Sequence, residues 1–302
     1  MTLALALVLN GLQYGVLLFL LASGLTLVFG IMRFVNLAHG SFYMIGAYAG
    51  AATYNHTGSF ALGVLAGTAA GALLALLLER TMISKLYQRD HLDHVLVTFG
   101  MVMFFNEAVQ LVWGPQSYFV SVPQFLAGSV TIWGFSYATY RFAIIGVGLL
   151  VALGCYLLMH KTRFGMQIRA GASNPAIVSV MGVNIGFLNA FLFAVGAALA
   201  GLAGAVAGPI LSVESGMGDP VLIITLVVIV IGGIGSVRGA FFAALLVGMV
   251  DTLGRAYFPV LLREFANNDV AGAAGPALAS MSVYILMAVV LILRPQGLFV
   301  RK

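Results

Sequence analysis

The chain has 302 residues, 62% of them hydrophobic and 8% charged, about a third of the charge usual in a water-soluble domain. That excludes a soluble globular body, and it turns the net charge of +5 away from nucleic acid: so few charges on so apolar a chain matter by position more than by sum. The single cysteine, Cys155, lies inside an apolar run and leaves no disulfide or cysteine-rich metal site within one chain.

In chain order, the opening residues MTLALALVL carry no basic n-region and read as part of a first membrane span, not as a removed signal peptide. About 20 apolar residues cross a bilayer as a helix. Runs of that kind fall at roughly 5–30, 36–53, 59–79, 94–113, 138–160, 186–211, 220–236, 240–258 and 275–293. The runs at 36–53 and 220–236 are short and bounded by glycine-rich turns, so eight spans with one re-entrant piece fit almost as well as nine. The expected fold is an all-α polytopic membrane protein with eight to nine transmembrane helices, one domain over 1–302.

Basic residues favour the cytoplasmic side. With the N-terminus outside and nine crossings, that side holds Arg33, Arg80, Lys85, Arg89, Lys161, Arg163, Arg169, Arg238, Arg294, Arg301 and Lys302, and the outside holds Arg141, Arg255 and Arg263. The division, 11 of the 14 against 3, selects N-out and C-in. The loop at 116–137 then lies outside, its alternating aromatic and polar residues suited to the membrane interface. The polar turn with Asp90, His91, Asp93 and His94 is expected to be solvated on the cytoplasmic side.

Glycine numbers 37, about 12% of the chain against a usual ~7%. Much of it recurs at small-xxx-small spacing, as in GAYAG (46–50), GTAAG (67–71) and GAVAG (204–208), which lets helices approach closely in lipid. Gly196, Ala200, Gly204 and Gly208 form one packing stripe in the sixth span. The segments GIMRFVNLAHGSF (30–42) and GGIGSVRGAF (232–241) look like a weak parallel internal repeat, each a glycine-flanked turn before a small-residue helix. Residues Asn36, His39, Gly40, Ser41, Tyr43, Gly235 and Ser236 in and after these turns are candidates to line a substrate path, with Glu107 near its outer mouth.

No G-x-x-x-x-G-K-[ST] occurs, so ATP is not held here by a Walker loop. GGIGSVRG has the wrong spacing and context for a dinucleotide loop, and the five histidines lack metal-ligand spacing. No catalytic or metal residue is assigned. Ionisable groups at membrane depth are functional candidates; they are Glu107 and Asp251, the latter expected to pair with Arg255 at i+4. With so few buried carboxylates, an engine outside the chain is favoured over proton or sodium coupling.

Between the fifth and sixth spans, ASNPAIVSVMGVN (172–184) is a complete small helix: Asn174 an N-cap, Pro175 its first residue, Gly182 a left-handed stop. Too short to be stable alone, it carries apolar residues Ile177, Val178, Val180 and Met181 in a cytoplasmic loop.

GLTLVFGIMRFVNLAHGSFYMIGAY (24–48), TRFGMQIRAGASNPAIVSVMGVNI (162–185), GAALAGLAGAVAGPI (196–210) and VIGGIGSVRGA (230–240) resemble, in order and over nearly the whole chain, the permease subunits of branched-chain amino-acid ABC importers, in length the shorter of the two permeases. The closing RPQGLFVRK resembles their C-terminus. The resemblance implies a bacterial inner-membrane complex: two homologous permeases, two ATPase subunits that hold ATP-Mg, and a periplasmic binding protein. It also implies a coupling helix between Arg169 and Val183, including Ser173, Asn174, Pro175, Ile177, Val178, Met181 and Gly182. Importers of urea, short amides or other amino acids share these signatures, and a self-sufficient channel or secondary carrier is the competing class.

Overall fold

The computed structural model describes residues 2–32, 34–87, 89–132, 134–265 and 267–299. Arg33, Arg301 and Lys302, used above for orientation, and Trp133 lie outside the described residues. The protein is an all-helical polytopic membrane protein with one small hairpin. A backbone in hydrocarbon finds no water to bond, so a helix, which pairs its own N–H and C=O groups, is the natural element for this composition.

The helices are α1 (Thr2–Met32), α2 (His39–Thr57), α3 (Phe60–Leu78), α4 (Ser84–Leu86), α5 (His91–Trp113), α6 (Thr139–Lys161), α7 (Arg163–Ser173), α8 (Pro175–Val180), α9 (Ile185–Ala207), α10 (Gly218–Gly232), α11 (Val237–Leu262) and α12 (Asn268–Leu293). A π-helical turn, Glu79–Ile83, joins α3 to α4, so that Phe60–Leu86 is one continuous rod. The expected span therefore continues past residue 79. Among the described residues seven helices are long and apolar enough to cross a membrane: α1, the Phe60–Leu86 rod, α5, α6, α9, α11 and α12. α2, with 19 residues, and α10, with 15, are the two shorter ones.

Residues 116–137 hold a hairpin, β1 (Ser129–Ile132) antiparallel to β2 (Phe135–Ala138), with Val130 opposite Tyr137. The alternation of Phe135, Ser136 and Tyr137 has the period of a strand, and these residues lie in β2. Tyr118 and Val213 add an isolated bridge, with N–H···O distances of 2.8 and 3.0 Å, tying this loop to the α9–α10 connection. α6 leads from the hairpin to α7 and α8, so the hairpin and α8 mark opposite faces of the bundle.

The helices meet at glycines. α2 and α3 run antiparallel, with Gly46 against Gly67 and Gly50 against Gly63; α9 lies antiparallel to α3, with Gly201 on Gly67 and Gly71 on Ala197. At the centre, a Cβ on Gly46 would strike the Gly201 backbone, one on Gly67 the Gly46 carbonyl, and one on Gly201 the Gly67 carbonyl. Three helices thus touch backbone to backbone at one point. Lipid offers no hydrophobic force between helices, so this close approach is what their dispersion contacts depend on. α1 packs on α11 in the same way, Gly15 against Ala244 and Gly248.

In the proposed stripe, Gly196 lies on Gly24 of α1, Ala200 is fully buried, and Gly204 meets the backbone of Tyr43 and Ala47 of α2. Gly208 follows the last residue of α9, with Val213 its nearest neighbour outside α9. Neighbouring stripe positions thus serve two different partner helices. Gly201→Val is expected to cost roughly 1–3 kcal/mol through overpacking, read as a lower apparent melting temperature in detergent. Gly272→Ala, where a Cβ meets open space, leaves that temperature unchanged.

Candidate functional site

Three caps in succession shape the α8 face. Thr162 Oγ1 accepts from Gly165 N at 3.0 Å and starts α7; Asn174 Oδ1 accepts from Ile177 N at 3.1 Å and starts α8; Asn184 Oδ1 accepts from Phe187 N at 3.0 Å and starts α9. Each satisfies an N–H group that a helix start leaves orphaned. α7 buries Gly165, Ile168 and Gly171, at helical spacing, against the bundle.

α8 is closed at both ends. Pro175 occupies its first position. At the other end Gly182 has φ +86°, its N–H donates to Ser179 O at 3.0 Å, and Val183 N donates to Val178 O at 3.3 Å. That pair of bonds is the Schellman motif, which needs a left-handed residue where glycine stands. Val178 turns inward at 6% exposure, whereas Ile177, Val180 and Met181 are 58%, 90% and 77% exposed. Ser173, Asn174 and Pro175 are also exposed. The Nη1 atom of Arg169, in the last turns of α7, is buried without a hydrogen-bond partner among the described residues.

A second constellation lies inside the bundle. After α1 ends, residues 34–38 turn back into the protein, and His39 Nε2 donates to the carbonyl of Leu21 at 3.3 Å. Leu21 stands about three turns back from Met32 along α1, so α2 begins deep in the bundle. α10 begins against the same place: a Cβ on Gly40 would meet Gly218 O at 2.5 Å, and one on Gly218 would strike Gly40 in return. Two helix N-termini, one entering from each face, meet there. Neither is capped by a side chain, Ala38 and Met217 being the N-cap residues. Asp219, accepting from Asn106 Nδ2 at 3.2 Å, supplies an acid to the first turn of α10; α2 has none in its first turn.

Around this junction Asn36, His39 and Ser41 are 1–2% exposed and Tyr43 3%. Both amide atoms of Asn36, Ser41 Oγ and Thr26 Oγ1 of α1 are buried with no hydrogen-bond partner among the described residues. Leaving such groups unpaired in a dry interior costs about 1–3 kcal/mol each. The helix dipoles add partial positive charge from both N-termini. The junction can thus offer hydroxyl, amide and backbone N–H groups to a polar solute.

The other path candidates lie elsewhere. Glu107 is exposed on α5, while its neighbours Asn106 and Gln110 hold the α9–α10 connection: Ser215 Oγ donates to Asn106 O at 2.7 Å and accepts from Gln110 Nε2 at 3.2 Å. Gly235 lies beside Gly30 in the α10–α11 turn, and Ser236 Oγ caps α11 through Gly239 N at 3.0 Å. The two turns that look alike in sequence therefore differ in depth: 233–236 is a tight turn at the α8 face, and 34–38 climbs into the bundle. Asp251 and Arg255 form the expected ion pair, with Nε–Oδ2 and Nη2–Oδ1 distances of 2.7 and 3.0 Å.

Two buried polar groups escape a reading by spans. Glu79, 5% exposed, sits in the π turn and accepts from the Tyr87 hydroxyl at 3.1 Å; burial and then the neighbouring carboxylate push the tyrosine pKa up, so it stays a donor. His94 is 4% exposed, not solvated: its Nε2 donates to Leu86 O at 2.7 Å and its ring packs on Phe34 at 4.6 Å. The signal in the sequence was Glu79 itself, an acid directly after an apolar run. Reading the run as ending there hid it.

The fold defines a polytopic membrane protein whose helical bundle holds short interior helices at a polar break and a capped helix on one face. The chain belongs to the family described as "branched-chain amino acid transport system / permease component", whose pattern it matches over residues 7–293. It is 29% identical to the high-affinity branched-chain amino acid transport system permease protein BraD of Pseudomonas aeruginosa over 97% of this chain and 94% of that one. It is 27% identical, over the same shares, to the corresponding LivH protein of Salmonella typhimurium. To a probable LivH of Methanocaldococcus jannaschii it is 27% identical over 80% of this chain and 78% of that one. No solved structure matches it significantly. The chain is thus a multi-pass membrane permease component. Asn36→Leu, which removes unpaired polar atoms at similar volume, is expected to leave the apparent melting temperature equal or higher while lowering solute uptake.

Proposed function

We propose that this chain is one of two paired homologous permeases in an ATP-driven importer that passes leucine, isoleucine and valine from a periplasmic binding protein into the cytoplasm. Two ATPase subunits, which hold the ATP and Mg, sit beneath the pair. Its family membership and the names of its relatives support the substrate class. The bias of 11 basic residues against 3 supports an N-out, C-in orientation. Seven spans, with α2 and α10 entering from the cytoplasmic and outer faces, make nine membrane-embedded helices in a single permease domain.

The observation that carries the reading is α8. A helix this short is unstable in isolation. Caps at both ends and a buried Val178 hold it rigid, while Ile177, Val180 and Met181 are exposed, with nothing among the described residues to cover them. A rigid apolar knob suits the surface groove of an ATPase and transmits its motion as a push; a flexible loop would absorb it. The path for the solute runs by the α2–α10 junction, with Asn36, His39, Gly40, Ser41 and Tyr43 along it. The unpaired amide and hydroxyl groups there support weak, transient contacts with a zwitterion. Gly196, Ala200 and Gly204 keep α9 close enough to α1 and α2 to frame it.

Gly182→Val forces a β-branched residue into the left-handed region, and Pro175→Gly loosens the first turn. Both are expected to leave the protein inserted and ATP hydrolysis by the complex intact, while ATP-dependent leucine uptake into proteoliposomes falls severalfold. Uptake at the wild-type rate sinks the coupling assignment, and uptake by the purified chain alone favours a self-sufficient carrier. A cysteine at Ser179, in a Cys155→Ala background, is expected to react with an impermeant maleimide only from the cytoplasmic side. Labelling of intact cells reverses the orientation.

A further inference from the structure

A cleft of about 670 Å³ opens on the α8 face between α6, α7 and the α10–α11 turn. Beside the hydroxyls of Ser236 and Tyr156, its lining holds basic side chains, Arg169 of α7, Arg238 in the first turn of α11 and His160 at the end of α6, with no Asp or Glu among the described residues. Among the described residues the buried Nη1 of Arg169 has no partner and the Asp251–Arg255 pair is the only ion pair, so neither lining arginine meets a carboxylate there. The rest of the wall is aromatic and apolar. Phe242, 47% exposed, stacks on Phe299 at 5.2 Å, and Tyr156, also 47% exposed, stacks on His160 at 4.6 Å. On the adjoining side of α6 a wholly apolar groove of about 420 Å³, bounded by Leu150, Val195 and Leu199, shares Cys155 with the cleft.

We propose that this cleft and groove together bind one acidic phospholipid, its phosphate between Arg169 and Arg238 and an acyl chain along α6. A half-buried guanidinium without a counter-ion is costly, and a phosphodiester supplies both charge and acceptors for the planar fork. Basic pockets at the headgroup level of helix ends have the chemistry for such lipids. A zwitterionic amino acid fits poorly, because no carboxylate among the described lining residues meets its ammonium group. A free phosphate would leave the aromatic walls and the apolar groove in contact with nothing. Assignment of the lipid to the inner leaflet rests on the orientation proposed above. With that orientation, the lipid lies beside α7, which leads into α8, so it steadies the lever from the membrane side.

The test uses the full-length chain extracted with whatever subunits accompany it and placed in nanodiscs with the same lipid in both leaflets, so orientation does not enter. A Phe242→Trp variant adds one indole to the two native tryptophans. Its added fluorescence is expected to be quenched more strongly by brominated phosphatidylglycerol than by brominated phosphatidylcholine. In the Arg169→Gln/Arg238→Gln background, phosphatidylglycerol affinity is expected to fall about 30-fold, the worth of two basic contacts. Arg263→Gln, at the far end of α11, leaves it unchanged. Equal quenching by the two lipids, an undiminished affinity in the double variant, or displacement by inorganic phosphate overturns the proposal. So does an absence of quenching by either lipid, as expected if a partner's acidic segment fills the cleft. If the double variant fails to fold, the comparison of the two lipids on Phe242→Trp alone decides. Ser179 labelling reports separately on the orientation.

Discussion

The contact on which the rest of this protein depends is the mutual approach of Gly46, Gly67 and Gly201. In water, α2, α3 and α9 could be held together by burying leucines against one another. In hydrocarbon that force is gone, because lipid tails are as apolar as the side chains they would replace. What remains is dispersion, which falls off steeply with distance and rewards only helices whose backbones nearly touch. Each of the three glycines removes a Cβ that would strike another's backbone. The trio sets the depth of α2 beside α3 and α9, and so the depth at which α2 can begin.

The polar break of the bundle follows from that placement. With α2 fixed beside α9, the chain leaving α1 must climb to reach it, carrying Phe34, Asn36 and Ala38 into the interior. α10 meets the break from the other face, held by Asn106 and Gln110 through Asp219 and Ser215. Two uncapped helix starts and several unpaired polar atoms lie together in a medium that penalises both. A protein selected for stability alone would replace Asn36 with leucine. Its presence at the junction supports the proposed solute path, where stability is traded for contact with a polar group.

The α8 face obeys a different physics. There water is present, caps can be exposed, and apolar side chains without a partner mark an interaction surface. α7 and α8 are joined end to end through Asn174, so a force on Val180 and Met181 travels into α7, whose Gly165, Ile168 and Gly171 are packed on the bundle. The basic cleft lies beside α7, with Arg169 of that helix in its wall.

Local rules reach far in this chain. Apolar runs reveal the long helices, because a span needs only length and hydropathy. The caps of α8 are legible at Asn174, Pro175 and Gly182, because capping is chemistry between near neighbours. Asp251 and Arg255 are legible for the same reason, being one turn apart. Depth is not local. Nothing within 30–42 distinguishes a turn at the surface from one that re-enters, and its likeness to 232–241 suggests equivalence; only the packing of α2 on α3 and α9 separates them. Glu79 and His94 look like surface residues until the π turn carries the rod on to Leu86. Asn36 becomes an unpaired buried amide only when α10 closes over it. The sequence by itself determined which segments leave water and how α8 is capped, since those free energies are summed over neighbours. The tertiary structure alone decided at what depth each helix begins and which polar groups go without partners, since those depend on backbones that meet from distant parts of the chain.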